Sequence, residues 1–144
     1  MIAVHFDVVA QPGPVIGERQ PSPEGVALVG MLMSLNFSNM QIITDLKSNL
    51  VELWLIRAGF AKLGLNRYAD DLGESLRTMS ALHGRVEWYI DVDPSRISIS
   101  TNNGFPALLV GLPTVVHAGM LPVERIPWDT LVSGIVDEKV REAA

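Results

Sequence analysis

The sequence predicts an α/β fold, a mainly parallel central sheet with helices on both faces in a three-layer Rossmann-like sandwich. Three observations predict it. Short apolar runs at Ile2 to Phe6, Met40 to Thr44 and Val86 to Ile90 alternate with helical segments, and parallel strands need such crossovers, which are almost always right-handed. The runs lack strict polar alternation, as expected of strands covered on both faces. The chain of 144 residues is long enough to bury roughly two-thirds of its unfolded surface in one domain. Residues 1–144 therefore read as a single domain, with no linker, internal repeat or low-complexity segment.

Ile2 to Phe6 reads as a central strand. Gln11 to Pro23 holds four prolines and two glycines, so it reads as an irregular loop. Ser22-Pro23-Glu24 is a helix start: Ser22 can cap, Pro23 suits the first turn, and Glu24 favours the positive end of the dipole. From Gly25 to Leu35 the residues Val26, Leu28, Val29, Met31, Leu32 and Leu35 recur at helical spacing, with Asn36 as terminator. Met40 to Thr44 is the second strand. Asp45 is expected to cap a helix running through Leu50, Val51, Leu53, Trp54 and Ile56 to Gly59.

Phe60 to Leu72 is the least readable stretch. Asn66 to Ala69 reads as a short strand, and Gly73 to Leu82 as a short helix closed by Gly84. Val86 to Ile90 is a strand running straight into Asp91-Val92-Asp93-Pro94. Phe105 to Val110 reads as a helix stopping at Gly111, Leu112 to His117 as a buried strand, and Trp128 to Arg141 as a terminal helix.

Composition excludes several classes of function. Hydrophobic residues make up 48% and charged residues 19%, a globular balance far from that of disorder. The net charge is −5, and Arg19, Lys47, Arg57, Lys62 and Arg67 are scattered singly. No basic stripe exists to track a phosphate backbone, so nucleic acid is not an expected partner. The chain has no cysteine, which removes disulfides, thiolate zinc sites and cysteine nucleophiles and fits a reducing compartment. The segment MIAVHFDVVA lacks a leading positive charge and holds His5 and Asp7, so it is a poor signal peptide. No apolar run approaches the ~20 residues needed to cross a bilayer. A cytoplasmic protein without a membrane partner is expected.

In open α/β sheets ligands sit beyond the carboxyl ends of the strands, where strand order reverses. His5, Asp7, Thr44, Asp91 and Asp93 are all expected at that edge. Asp7 and the Asp91/Asp93 pair each follow an apolar strand, so they could converge on a hard cation such as magnesium. Their plainer role is to cap turns, as is common in Asp-Pro sequences. Thr44 could donate to an anion at the amino end of the following helix, or only satisfy its own turn. Arg85, just before the fourth strand, could neutralise charge on a phosphate, or simply be solvated.

His5 could be a base, a metal ligand or a nucleophile, although a lone histidine in a buried strand is more often a hydrogen-bonded core residue. His83 and His117 lack the spacing of a helical metal pair, and neither GxGxxG nor a Walker lysine loop is present, so zinc, dinucleotide and P-loop readings are weak or set aside. Met31, Met33, Met40, Trp54, Trp88 and Trp128 read as core, with a partner-facing surface as the alternative.

Taken in this order, the pieces resemble the haloacid dehalogenase-like (HAD) superfamily, in particular its small capless members often encoded by bacteriophages. The resemblance runs from Ile2 to about Val136. The family opens with a strand followed by Asp-x-Asp-x-Thr/Val. Here Ile2-Ala3-Val4-His5-Phe6-Asp7-Val8-Val9 supplies the second aspartate and Val9, and His5 stands where the family's nucleophile belongs. Ile42-Ile43-Thr44 is similar to the second motif, a strand ending in Ser or Thr. Tyr89-Ile90-Asp91-Val92-Asp93-Pro94 is similar to the fourth, an apolar strand ending in acids, with Val92 where many members have a second adjacent acid. Gly111-Leu112-Pro113-Thr114 looks like the approach to the family's final strand, and Pro127-Trp128-Asp129 like the tail of the phage type. The lysine of the third motif is missing, with Arg85 its nearest substitute.

The resemblance implies a HAD-like fold without a separate cap. For active members it implies magnesium-dependent phosphoryl transfer through an aspartyl phosphate, with Asp7, Asp91 and Asp93 as metal ligands here. Imidazole at position 5 removes a carboxylate that both attacks phosphorus and ligates the metal, which weakens magnesium binding. Loss of a covalent nucleophile commonly costs several orders of magnitude in rate. The expectation is a domain without normal phosphatase activity that binds a phosphorylated metabolite, nucleotide or protein partner through the retained pocket. If phage-encoded, it would act in the host cytoplasm. Two alternatives stay open. One is an active phosphatase in which His5 attacks or Asp7 directs water, with Thr44 and Arg85 holding the phosphoryl group. The other is a structural or interaction protein with a vestigial site, and a homodimer is left open.

Overall fold

Strand β1 (Ile2–His5) is buried along its whole length, the environment of a parallel strand with neighbours on both sides and helices on both faces. In the computed structural model, which describes residues 1–35 and 39–111, it stands in the middle of a five-stranded sheet. β2 (Met40–Thr44) and β4 (Trp88–Asp91) flank it, and β3 (Gly64–Arg67) and β5 (Ala107–Leu109) form the edges, in the order β3-β2-β1-β4-β5. Every pairing is parallel. Four helices complete the described residues: α1 (Pro23–Ser34), α2 (Ser48–Arg57), α3 (Leu72–His83) and α4 (Pro94–Asn102).

Alternate residues of a strand point to opposite faces, and the two faces carry separate cores. Val4, Ile42 and Ile90 meet Leu28 and Leu32 of α1 and Val51 and Trp54 of α2. Ala3, Ile43 and Tyr89 meet Leu72, Leu76 and Met79 of α3 and Ile97 of α4. The expected three-layer, Rossmann-like α/β fold is what these contacts build. No helix among the described residues is long and apolar enough to cross a membrane.

Local chemistry fixes the helix positions. Ser22 and Pro23 start α1 as expected, although the Ser22 side chain makes no capping bond. α1 approaches the end of β1 closely because Gly25 has no side chain: a Cβ there would lie 1.6 Å from the carbonyl oxygen of Val8. Asp71 caps α3 by accepting the Glu74 N–H at 2.9 Å. Gly84 ends that helix at φ 97°, a left-handed conformation open to glycine.

Several boundaries differ from expectation, for physical reasons. The Thr44 hydroxyl accepts the Leu46 N–H at 3.1 Å, and this turn delays α2, whose N-cap is Lys47 rather than Asp45. β3 lies two residues earlier than Asn66 to Ala69. Phe105 to Val110 does not form a helix. Tyr89 N–H donates to the Pro106 carbonyl and Val110 N–H to the Asp91 carbonyl, so Ala107–Leu109 pairs with β4 as an edge strand. A short apolar run has no period that separates strand from helix. α4 was not anticipated at all. Asn36, the expected strand Leu112 to His117 and the expected helix Trp128 to Arg141 lie outside the described residues.

Candidate functional site

The chain runs outward from β1 through β2 to β3 and then returns to β4 on the other side of β1. Strand order therefore reverses between β1 and β4, and the crevice at their carboxyl ends is where such sheets hold ligands. Val4 pairs with Ile90 and His5 with Ile43, so His5, Asp91 and Thr44 reach the same rim. Asp7 follows β1 in a single helical turn over Phe6–Val8.

A residue that the sequence did not single out, Arg96 in the first turn of α4, ties these acids together. Its Nε donates to Asp91 Oδ2 at 2.6 Å and its Nη2 to Asp91 Oδ1 at 2.9 Å, the forked geometry that makes arginine–carboxylate pairs strong. Nη2 also donates to Asp7 Oδ2 at 2.9 Å, and Nη1 lies 3.5 Å from Asp93 Oδ2. Burial alone would lower the pKa of Arg96, but the hydrogen bonds and charge of Asp91, then of Asp7, carry it above the ordinary arginine value. The guanidinium is a permanent cation.

Asp91 is fully buried, and it is fully served. Beyond Arg96 it accepts the Tyr89 hydroxyl and the N–H groups of Val92 and Asp93, the latter two at 2.6 and 3.1 Å. Burial and the charge of Asp91 raise the Tyr89 pKa, so its hydroxyl remains a donor. Asp93 caps α4, accepting Ser95 N–H at 2.9 Å and Ser95 Oγ–H at 2.7 Å. Burial pushes its pKa up, but the Ser95 bonds and the Arg96 charge outweigh this and hold it below the usual carboxylate value.

The second oxygen of Asp7 accepts Arg19 Nη1 at 3.1 Å. Arg19 belongs to the loop that follows β1, so this loop does reach the rim. Trp54 Nε1 donates to the Arg19 carbonyl at 2.8 Å, an antiparallel bridge joins Ala10 to Pro21, and the Arg19 guanidinium lies 5.7 Å from the centre of the Phe6 ring. Cation–π contact of this kind adds to the ion pair in holding the side chain.

His5 is only 1% exposed. Its Nδ1 accepts the Asp7 N–H at 3.1 Å. An amide N–H can only donate, so Nδ1 must present its lone pair, and the proton of the neutral ring sits on Nε2. Nε2 then donates to the Tyr68 hydroxyl, 3.0 Å away. Burial is the largest influence on the ring and holds its pKa below the ordinary 6.5; Asp91 and Asp7 oppose this, and Arg96 assists it. Burial also raises the Tyr68 pKa, keeping that hydroxyl protonated. Both nitrogens of a neutral imidazole are thus engaged.

The structure brings His5, Asp7, Thr44 and Asp91 to one rim and sets Asp93 beside them as a helix cap. Thr44 is fully buried and its hydroxyl oxygen is engaged by its own turn. Arg85 is not part of this group. It is exposed and precedes β4, and its carbonyl accepts the Met1 ammonium at 2.8 Å, at the amino end of the sheet. A residue before a parallel strand lies at the edge opposite the rim, which removes Arg85 from any shared site with Asp7.

Magnesium takes a near-octahedral shell of oxygens at about 2.0–2.1 Å. The Asp7 and Asp91 oxygens that would supply it receive donors from Arg96 and Arg19 instead. Among the described residues no group of three or more His, Cys, Asp or Glu side chains is arranged to hold a metal ion, so the donor set as placed does not fit magnesium. Comparison of the chain with known families, with curated proteins and with solved structures finds no match.

Proposed function

We propose that this chain is a haloacid dehalogenase-like domain that has lost phosphoryl transfer and works by binding, receiving a phosphorylated small molecule or a phosphorylated protein partner at the carboxyl rim of its sheet. The bonding of His5 carries the loss of catalysis. In the motif that the chain resembles, the attacking group stands at this position, and a nucleophile needs a free lone pair. Nδ1 spends its lone pair on the Asp7 N–H, and Nε2 carries the proton shared with Tyr68. Both oxygens of Asp7 are likewise engaged, Oδ1 by Arg19 and Oδ2 by Arg96.

The family reading is supported by the order and placement of the motif residues: Asp7 after β1, Thr44 at the end of β2 and Asp91 at the end of β4, on three adjacent strands. Binding of a phosphate group is supported by the start of α2. Its N-cap, Lys47, makes no side-chain capping bond, and first-turn N–H groups of a helix without a capping side chain favour anions.

Hydrolysis of a generic aryl phosphate, measured with and without magnesium, tests the loss of catalysis, and no turnover above background is expected. Turnover at enzyme-like rates that Asp7→Asn abolishes would overturn it. Thermal shifts with inorganic phosphate and simple phosphate monoesters test the binding role. A saturable rise in melting temperature is expected, and none with any of them would contradict it.

A further inference from the structure

Three carboxylates of this rim already surround a cation, and that cation is covalently part of the chain. We infer that Arg96 is a built-in substitute for a divalent metal: its guanidinium supplies the positive charge that holds Asp7, Asp91 and Asp93 together, and it makes the rim a metal-independent clasp joining β1, β4 and α4.

Two independent features point this way. The bonds go to the right atoms: both oxygens of Asp91 and one of Asp7 receive the guanidinium, and Asp93 lies 3.5 Å from it. The position of Arg96 in its helix is also telling. As the third residue of α4, it faces the positive end of the helix dipole, where a cation is disfavoured. An arginine held there needs nearby anions to offset that cost, and the helix's own cap, Asp93, is one of them.

A free ion would also compete at a disadvantage. Magnesium gives up its water reluctantly, whereas Arg96 is carried to the rim by the fold. A metal could enter only by displacing a guanidinium that makes a forked bond to a fully buried carboxylate. The ion pairs alone carry this conclusion, and it stands or falls separately from the binding role proposed above.

Titration with Mn2+, followed by electron paramagnetic resonance of the free ion, tests it. The natural chain is expected to show no saturable site at the rim. Arg96→Ser, which removes the cation and opens its space, is expected to gain one site per chain, lost again when Asp91→Asn is added. Saturable binding by the natural chain that Asp91→Asn abolishes would overturn the inference, as would a folded Arg96→Ser chain that gains no site. If Arg96→Ser unfolds, Mn2+ is expected to restore its folded circular dichroism, and failure to do so counts against the inference. Arg96→Lys keeps a cation on a flexible stem and is expected to exclude Mn2+ as the natural chain does. A saturable Mn2+ site in that variant would contradict the role of the positive charge.

Discussion

Arg96 Nη2 lies 2.9 Å from Asp7 Oδ2, although the two residues stand 89 positions apart in the chain. The same guanidinium grips the buried Asp91, so one side chain bridges the ends of β1 and β4, where strand order reverses. The acids at that crevice meet fixed positive charge from Arg96 and Arg19.

Breaking the Arg96–Asp91 pair should therefore destabilise the whole fold. Removing one member of a buried pair costs about 3–5 kcal/mol, because the other is left uncompensated. Asp91→Asn and Arg96→Ala should each lose stability on this scale in urea unfolding. The double variant should lose clearly less than the sum of the two, since the groups share one interaction. Strict additivity would show that they are not coupled.

Stability should fall as the solution is acidified below about 6.5, with His5 responsible for part of the slope. Burial holds the folded ring below its ordinary value of 6.5, so between those two pKa values the unfolded chain binds the extra proton. Stability then rises with pH across that window. Below about 3.8, the ordinary value for Asp93, whose folded pKa is depressed, a second loss is expected. Urea unfolding at a series of pH values reads both, and His5→Gln should flatten the upper window. An upper slope unchanged in that variant would mean that His5 is not the titrating group.

Tyr68→Phe tests the partner of His5 directly. It deletes the acceptor of a buried Nε2–H, and a buried donor left without a partner costs about 1–3 kcal/mol. Urea unfolding should show a loss in that range. A neutral result would indicate that the histidine proton is placed elsewhere.

Gly25→Ala probes the approach of α1 to the turn after β1. The added Cβ would lie 1.6 Å from the backbone oxygen of Val8, which no rotamer change can relieve. The helix must shift, at a cost of about 3 kcal/mol, the upper end for overpacking. At Gly30, on the same helix, nothing lies within 4 Å of a built Cβ, so Gly30→Ala should be tolerated and serves as the control.

The strands of the centre were legible because burial on both faces writes itself as apolar runs: Met40 to Thr44 was expected and found with the same bounds. Placing Asp7, Thr44 and Asp91 at one rim followed from that alternation alone. The second half of the sheet was harder. In α4, Ile97 and Ile99 stand two apart among serines, so no helical stripe appears, and the short apolar β5 imitated a helix end.

Arg96 was missed for the same reason, yet a signal was present. Asp93-Pro94-Ser95 repeats the logic of Ser22-Pro23-Glu24, a capping residue followed by proline at the first helical position. Reading it as a helix start would have set Arg96 in the first turn, next to the acids at the end of β4. Asp45 misled because the Thr44 hydroxyl forms a turn before α2 can begin. Arg85 misled because position in sequence beside a strand does not say which end of the sheet it occupies.

The protonation of the His5 ring is the most direct test, since the proposed loss of an attacking group rests on it. Long-range nitrogen–proton correlation on a histidine-labelled sample reports which ring nitrogen carries the proton. At neutral pH the expected result is a neutral ring protonated on Nε2, with Nδ1 bearing an acceptor lone pair. A proton on Nδ1, leaving Nε2 free, or a charged ring with protons on both nitrogens, would contradict it.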